Sequence, residues 1–190
     1  MRYVLVCLAL LGAAACQRSS QGALDHLHPC GINEGPPDAW CGTHRVFEDR
    51  AAKSGRTIDL KIVVAPALRR DPQPDPLFIF EGGPGGGAAT LADQRIPMFR
   101  RYQTNRDIVL IDQRGTGDSN PLDCAADDAE DEDLEHADAP SVQRFRTCLE
   151  TLKADERLYT TSIAMDDIDE VRQALGYQRI NLWGGSYGTR

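Results

Sequence analysis

Gly184-Gly185-Ser186-Tyr187-Gly188 is the stretch whose residue types and spacing point most directly to chemistry. It spells G-x-S-x-G, the pattern of a nucleophile elbow. In such an elbow a strand turns sharply into a helix around a strained serine, and Gly184 and Gly188 leave space where Cβ atoms would collide. The turn exposes the Ser186 hydroxyl and sets the next backbone N–H, that of Tyr187, beside it. The chemistry on offer is attack of the serine oxygen on a carbonyl, with the Tyr187 N–H as a donor to the developing oxyanion. The plain alternative is a glycine-rich turn at a strand end.

Two further loops carry unusual residues. Glu81-Gly82-Gly83-Pro84-Gly85-Gly86-Gly87 can bring backbone N–H groups close to a ligand. An oxyanion hole is one reading. Another is a loose dinucleotide fingerprint, Gly83-x-Gly85-x-x-Ala88, although Pro84 removes an N–H, no clear helix is predicted to follow, and no lysine completes a phosphate loop. The second loop, Asp112-Gln113-Arg114-Gly115-Thr116-Gly117-Asp118-Ser119, offers Asp112 and Arg114 as a pair that holds the loop, a structural role rather than a catalytic one.

The elements that must position these loops are legible as hydrophobic patterns. "TIDLKIVV" at 57–64 alternates and predicts a half-buried, antiparallel strand. "LFIF" (77–80), "DIVLID" (107–112) and "RINLW" (179–183) are near-continuous apolar runs, as in strands covered on both faces. Val142, Phe145, Leu149 and Leu152 form one helical stripe, with Ser141 as its candidate cap. Ala164, Ile168, Val171 and Leu175 form another, which Gly176 is placed to stop. Buried strands interleaved with helices indicate an α/β fold. In such folds sites lie at the carboxyl ends of the strands, so the three loops are expected to converge.

In order, "EGGPGG", "DQRGTGDSNPLDC" and "LYTTSIAMDDIDEVRQALGYQRINLWGGSYGTR" resemble the prolyl iminopeptidase and tripeptidyl aminopeptidase branch of the α/β-hydrolases, over about 57–190. The resemblance implies the N-terminal half of an α/β-hydrolase sheet, mostly parallel and ending just after the elbow. It implies a serine hydrolase that removes residues from peptide N-termini, with Ser186 as nucleophile and the N–H groups of Tyr187 and Gly83 as oxyanion donors. Peptide is then the substrate class, with small esters or lactones as the alternative that the same fold serves, and a non-catalytic, lipid-anchored binding protein with a degenerate hydrolase fold as the less favoured reading. No cofactor and no metal are expected. Glu81 stands where iminopeptidases carry histidine, so proline specificity is not carried over. It is read as tying down its loop, with a substrate ammonium as the other partner considered.

The triad base and its orienting acid follow the serine in this fold, in the order Ser, Asp or Glu, His. Here His26, His28, His44 and His136 all precede Ser186 and are expected at the surface. The reading is therefore an N-terminal fragment that is inactive alone.

Composition agrees with a folded globular domain. The chain has 190 residues, 41% hydrophobic and 26% charged, with a net charge of −8, which argues against nucleic acid as a partner. Most of the acidic excess lies in "DDAEDEDLEHAD" at 127–138, expected as a solvated loop. Arg2 precedes the uncharged stretch Tyr3–Ala15, too short to span a bilayer and suited to a signal peptide over 1–15. Gly12-Ala13-Ala14-Ala15-Cys16 resembles a bacterial lipobox with Ala13 in the usual leucine position, making Cys16 a lipidation site. Plain secretion is the alternative. The protein is thus expected to be exported, touching membrane only through a lipid anchor. Residues 16–50 are expected as a tether and disulfide-stapled loop, and 51–190 as the hydrolase part. The four remaining cysteines allow three pairings, of which the sequence-local Cys30–Cys41 and Cys124–Cys148 are expected.

Overall fold

The computed structural model describes residues 27–31, 38–123 and 139–190. Six strands form one sheet: β1 (His28–Cys30), β2 (Ala39–Phe47), β3 (Thr57–Ala65), β4 (Leu77–Phe80), β5 (Ile108–Ile111) and β6 (Asn181–Gly184). Their spatial order is β1-β2-β3-β5-β4-β6. The helices are α1 (Ala92–Met98), α2 (Arg100–Gln103), α3 (Ala139–Thr151) and α4 (Thr161–Ala174).

The alternation in β3 buries Ile58, Leu60 and Ile62 and exposes Thr57 and Asp59. From Val63 onward every residue is buried, because there both faces of the sheet are covered. One face stacks Leu60, Ile62, Phe78, Val109 and Ile111 against Ile168, Val171 and Leu175 of α4. The other stacks Val63, Leu77, Ile79, Ile108 and Leu110 against Ala88, Ala92, Ile96 and Phe99, on and around α1. Each fully buried Leu, Ile or Phe contributes roughly 1.5–3 kcal/mol. That double coverage explains the unbroken apolar runs of β4 and β5. α4 carries the expected stripe and ends at Gly176, whose φ of +74° lies in the left-handed region.

The sheet is mixed rather than mostly parallel. β5-β4-β6 pair in parallel, whereas β1-β2, β2-β3 and β3-β5 are antiparallel. The reason lies in the segment expected as a loop before residue 50. Ala39–Phe47 is a nine-residue strand paired along its length with β3, and the Cys30–Cys41 disulfide joins it to β1. Only Ala39 and Val46 of β2 are buried, the rest being half-buried or exposed, so its sequence lacks the strong apolar alternation that marks β3. Two expected helical details also differ. α3 starts at Ala139, so Ser141 lies in its first turn rather than at its cap, and its apolar stripe is not a core face: Val142 and Phe145 are exposed. "RINLW" does form β6, yet Leu182 and Trp183 are exposed, because β6 is the outer strand beyond β4.

Cys148 is disulfide-bonded, while its expected partner Cys124 lies outside the described residues. So do Cys16, the signal-peptide stretch, His26, His136 and the acidic run 127–138. Among the described residues no helix is long and apolar enough to cross a membrane.

Candidate active site

Parallel pairing of β4 with β6 sets Phe80 opposite Gly184, so the loops that leave these two strands start side by side. Their sequences are about a hundred residues apart, and their backbones touch. A Cβ on Gly82 would lie 2.8 Å from the Gly185 carbonyl oxygen, 3.0 Å from Ser186 Cβ and 3.3 Å from Tyr187 N. The glycine loop therefore lies directly against the residue pair Ser186-Tyr187.

The elbow has the strained form its sequence predicts. Ser186 has φ +52°, a left-handed conformation costly for a residue with a side chain. A single turn of 3₁₀ helix, Ser186–Thr189, follows at once. The flanking glycines are required by close approach. A Cβ on Gly184 would come within 2.1 Å of the Gly188 carbonyl oxygen, and one on Gly188 within 2.5 Å of the Phe80 carbonyl oxygen. Ser186 is exposed, as a nucleophile for an external substrate must be.

Around the expected donors, Gly83 has φ +123°, and the Gly82 carbonyl accepts the Gly86 N–H at 3.0 Å. Glu81 is bonded within the loop and to the helix beyond it. Its Oε1 accepts the Gly82 N–H at 3.1 Å, and its Oε2 pairs with Arg95 of α1. Arg95 holds the Glu81 carboxyl below the usual glutamate value; burial opposes this, and the Gly82 N–H adds to it. Glu81 thus ties down its loop, as the structural reading of the sequence has it. A helix does follow the glycine loop, contrary to expectation, but its first residue is Ala92, beyond the Gly83–Ala88 stretch that the dinucleotide fingerprint would need.

The second loop is structural, though not through the expected Asp112–Arg114 pair. Asp112 is fully buried and accepts the Thr90 N–H (3.0 Å), the Thr90 hydroxyl (2.6 Å) and the Asp118 N–H (3.0 Å). It therefore ties this loop to the segment after the glycines. Arg114 turns the other way and grips Asp167 of α4 with two bonds of 2.6 and 2.9 Å. Arg114 also donates to the carbonyls of Glu48, Leu158 and Phe47. One buried guanidinium thereby joins β2, α4 and the segment before α4. In the sequence Asp167 is one of four acids, Asp166, Asp167, Asp169 and Glu170, clustered in the same helical segment. Its sole distinguishing signal is position: three residues after Ala164 and four before Val171, it falls on the buried stripe.

The described histidines take no part in the elbow. His28 is exposed, and His44 is not at the surface as expected but half-buried, 3.1 Å from Glu170. Among the described residues no histidine or carboxylate hydrogen-bonds Ser186 Oγ.

Comparison with known proteins identifies the fold. Residues 75–190 match the family described as the alpha/beta hydrolase fold. A probable proline iminopeptidase of Streptomyces coelicolor is 31% identical over 121 residues, which is 63% of this chain and 27% of that protein. The proline iminopeptidase of Neisseria gonorrhoeae is 30% identical over 122 residues, with the same two shares of 63% and 27%. The matched stretch thus spans little more than a quarter of these relatives. Among solved structures, a proline iminopeptidase of Mycobacterium smegmatis aligns with 77% of this chain and 36% of its own, at 20% identity and a TM-score of 0.45.

Proposed function

This chain belongs to the α/β-hydrolase fold family, and we propose that it is a serine hydrolase of the aminopeptidase type, working through an acyl-enzyme on Ser186. The observation that carries the reading is the seam between the two loops: a serine at φ +52° with Gly82, the residue before Gly83, against its Cβ and the Tyr187 nitrogen. A base removes the Ser186 proton as Oγ attacks the scissile carbonyl. The N–H groups of Gly83 and Tyr187 hold the oxyanion, and the peptide amine leaves with the proton. Water then releases the acyl group. Proline iminopeptidases among the relatives support peptide N-termini as the substrate class.

In this reading the triad acid and base follow Ser186 in the chain order of the fold, Ser, Asp or Glu, His; among the described residues, His28 is exposed and His44 is engaged by Glu170. The 190-residue chain by itself is therefore inert. Export, with lipidation at Cys16, completes the proposal; the Cys30–Cys41 disulfide supports it, because such bonds persist in oxidising compartments.

The test is turnover of aminoacyl-naphthylamides and p-nitrophenyl acetate. The protein translated to the natural stop of its reading frame should turn over the naphthylamides and lose that activity in Ser186→Ala. The 190-residue chain should show none. Activity that survives Ser186→Ala sinks the assignment of the nucleophile. Serine-dependent turnover by the 190-residue chain sinks the claim that it is inert.

A further inference from the structure

Resting on the reading of Ser186 as nucleophile, we propose that Glu81 and Arg95 form a clamp that sets the Gly83 oxyanion donor, making both positioning residues for catalysis. The clamp spans the loop. Glu81 directly follows β4, and Arg95 lies in α1 on the far side of the glycines. The paired side chains are only 16% and 22% exposed, so solvent competes weakly for either partner.

The peptide geometry shows what the clamp controls. The Gly82 N–H is held by Glu81 Oε1, and the Gly82 carbonyl is held by the Gly86 N–H. The peptide planes on both sides of Gly82 are therefore pinned. Gly82 C=O and Gly83 N–H share one planar trans unit and point in opposite directions. With the carbonyl turned in toward Gly86, the Gly83 N–H is turned out of the loop. Gly82 itself abuts the elbow. The loop also folds back on the stem of Glu81, since a Cβ on Gly86 would lie 2.8 Å from Glu81 Cγ. Releasing the carboxylate frees one of the two bonds that aim the donor. Because Glu81 is engaged by Arg95 and Gly82, its carboxylate is occupied as a structural acceptor instead of facing a substrate ammonium.

Loss of an oxyanion donor lowers kcat by about 100- to 1,000-fold, so a donor misaimed rather than removed should cost about 10- to 100-fold. The experiment compares Glu81→Ala, Glu81→Gln and Arg95→Met in the protein translated to its natural stop, using an aminoacyl-naphthylamide and p-nitrophenyl acetate. A positioning role lowers kcat on both substrates, leaves KM nearly unchanged and weakens a peptide-aldehyde inhibitor in parallel. Glu81→Gln, which keeps an acceptor for Gly82 N–H, retains more activity than Glu81→Ala. A loss confined to KM for the aminoacyl substrate, with ester turnover intact, would make Glu81 an ammonium site and overturn the proposal. Hydrogen exchange of the 82–87 amides gives a readout independent of turnover. It should quicken about tenfold or more in Arg95→Met while β4 and β5 stay protected, and unchanged exchange overturns the clamp. Ser186→Ala separates the two levels: activity that survives it refutes the nucleophile, whereas activity lost in Ser186→Ala but unmoved in the clamp variants refutes only the clamp.

Discussion

Replacing Arg114 by Met should destabilise the fold by about 4 kcal/mol, and more than Asp167→Asn does. Both side chains are essentially buried, at 1% and 2% exposure, and two bonds of 2.6 and 2.9 Å join them. Breaking such a pair from one side costs roughly 3–5 kcal/mol, chiefly because the surviving charge loses its partner. Two features decide where in that range Arg114→Met falls. Asp167 keeps Arg50 at 2.8 Å, which lowers the cost. The carbonyls of Glu48, Leu158 and Phe47 lose their shared donor; that of Glu48 is buried, and a buried carbonyl left without one costs about 1–3 kcal/mol, with less for the two part-buried ones. Asp167→Asn leaves those three bonds in place and keeps one acceptor for Arg114, so about 2–3 kcal/mol is expected from a lost charged hydrogen bond. Urea unfolding, followed by the fluorescence of Trp40 and Trp183, measures both. At a slope of about 2 kcal/mol per molar, 4 kcal/mol moves the midpoint by about 2 M. The double variant should cost less than the sum of the singles, because the pair is lost only once. A cost below about 1 kcal/mol for Arg114→Met, or strict additivity, would refute the view that Arg114 joins three segments.

On the proposed function, Gly82→Ala should lower kcat at least about 100-fold in the protein translated to its natural stop, since its Cβ would sit 2.8 Å from the Gly185 carbonyl and push the glycine loop off the elbow; steady-state kinetics reads this directly. Tyr159 should titrate late: burial, with Glu48 beside its hydroxyl, raises it from 10.0 to about 12, a rise that Asn120 and Arg114 only partly offset. Because the folded value lies above the unfolded one, the stability linked to this group is whole below about pH 10 and is lost as pH climbs toward 12; absorbance of tyrosinate near 295 nm, alongside melts across that range, checks both the late titration and the sign. Cys30→Ser with Cys41→Ser should cost about 2–3 kcal/mol for a cross-link spanning 11 residues, seen as a lower melting temperature under non-reducing conditions and a smaller further drop on adding reductant than the parent shows, because only the bond at Cys148 is then left to break.

What could be read beforehand divides along a physical line. Patterns that depend on one segment's own burial were legible: the alternation of β3, the apolar runs of β4 and β5, the stripe of α4, and the glycines around Ser186. Partnerships between distant segments were not. Nothing local says that Arg114 will find Asp167, 53 positions away, instead of Asp112, two positions away. β2 was hidden because a half-covered strand near the sheet's edge needs little apolar alternation. The stripe of α3 and the run of β6 misled for the converse reason: apolar periodicity shows which side could be buried, not whether an element covers it here. The elbow was recognisable because its constraint is steric and local, whereas the Glu81–Arg95 tie needed the helix that the loop's sequence did not announce.

The seam between the glycine loop and the elbow also bears on how such a site can change over generations. Its closest approaches are main chain against main chain: Gly82 to the Gly185 carbonyl, Gly184 to the Gly188 carbonyl, Gly188 to the Phe80 carbonyl. At each of these three positions the nearest obstacle is a backbone carbonyl, which cannot be trimmed or enlarged by small steps. Mutational scanning of these positions should therefore give a two-valued outcome, glycine tolerated and everything else rejected, with no graded middle. Drift in substrate preference has to be carried by residues that never touch the seam.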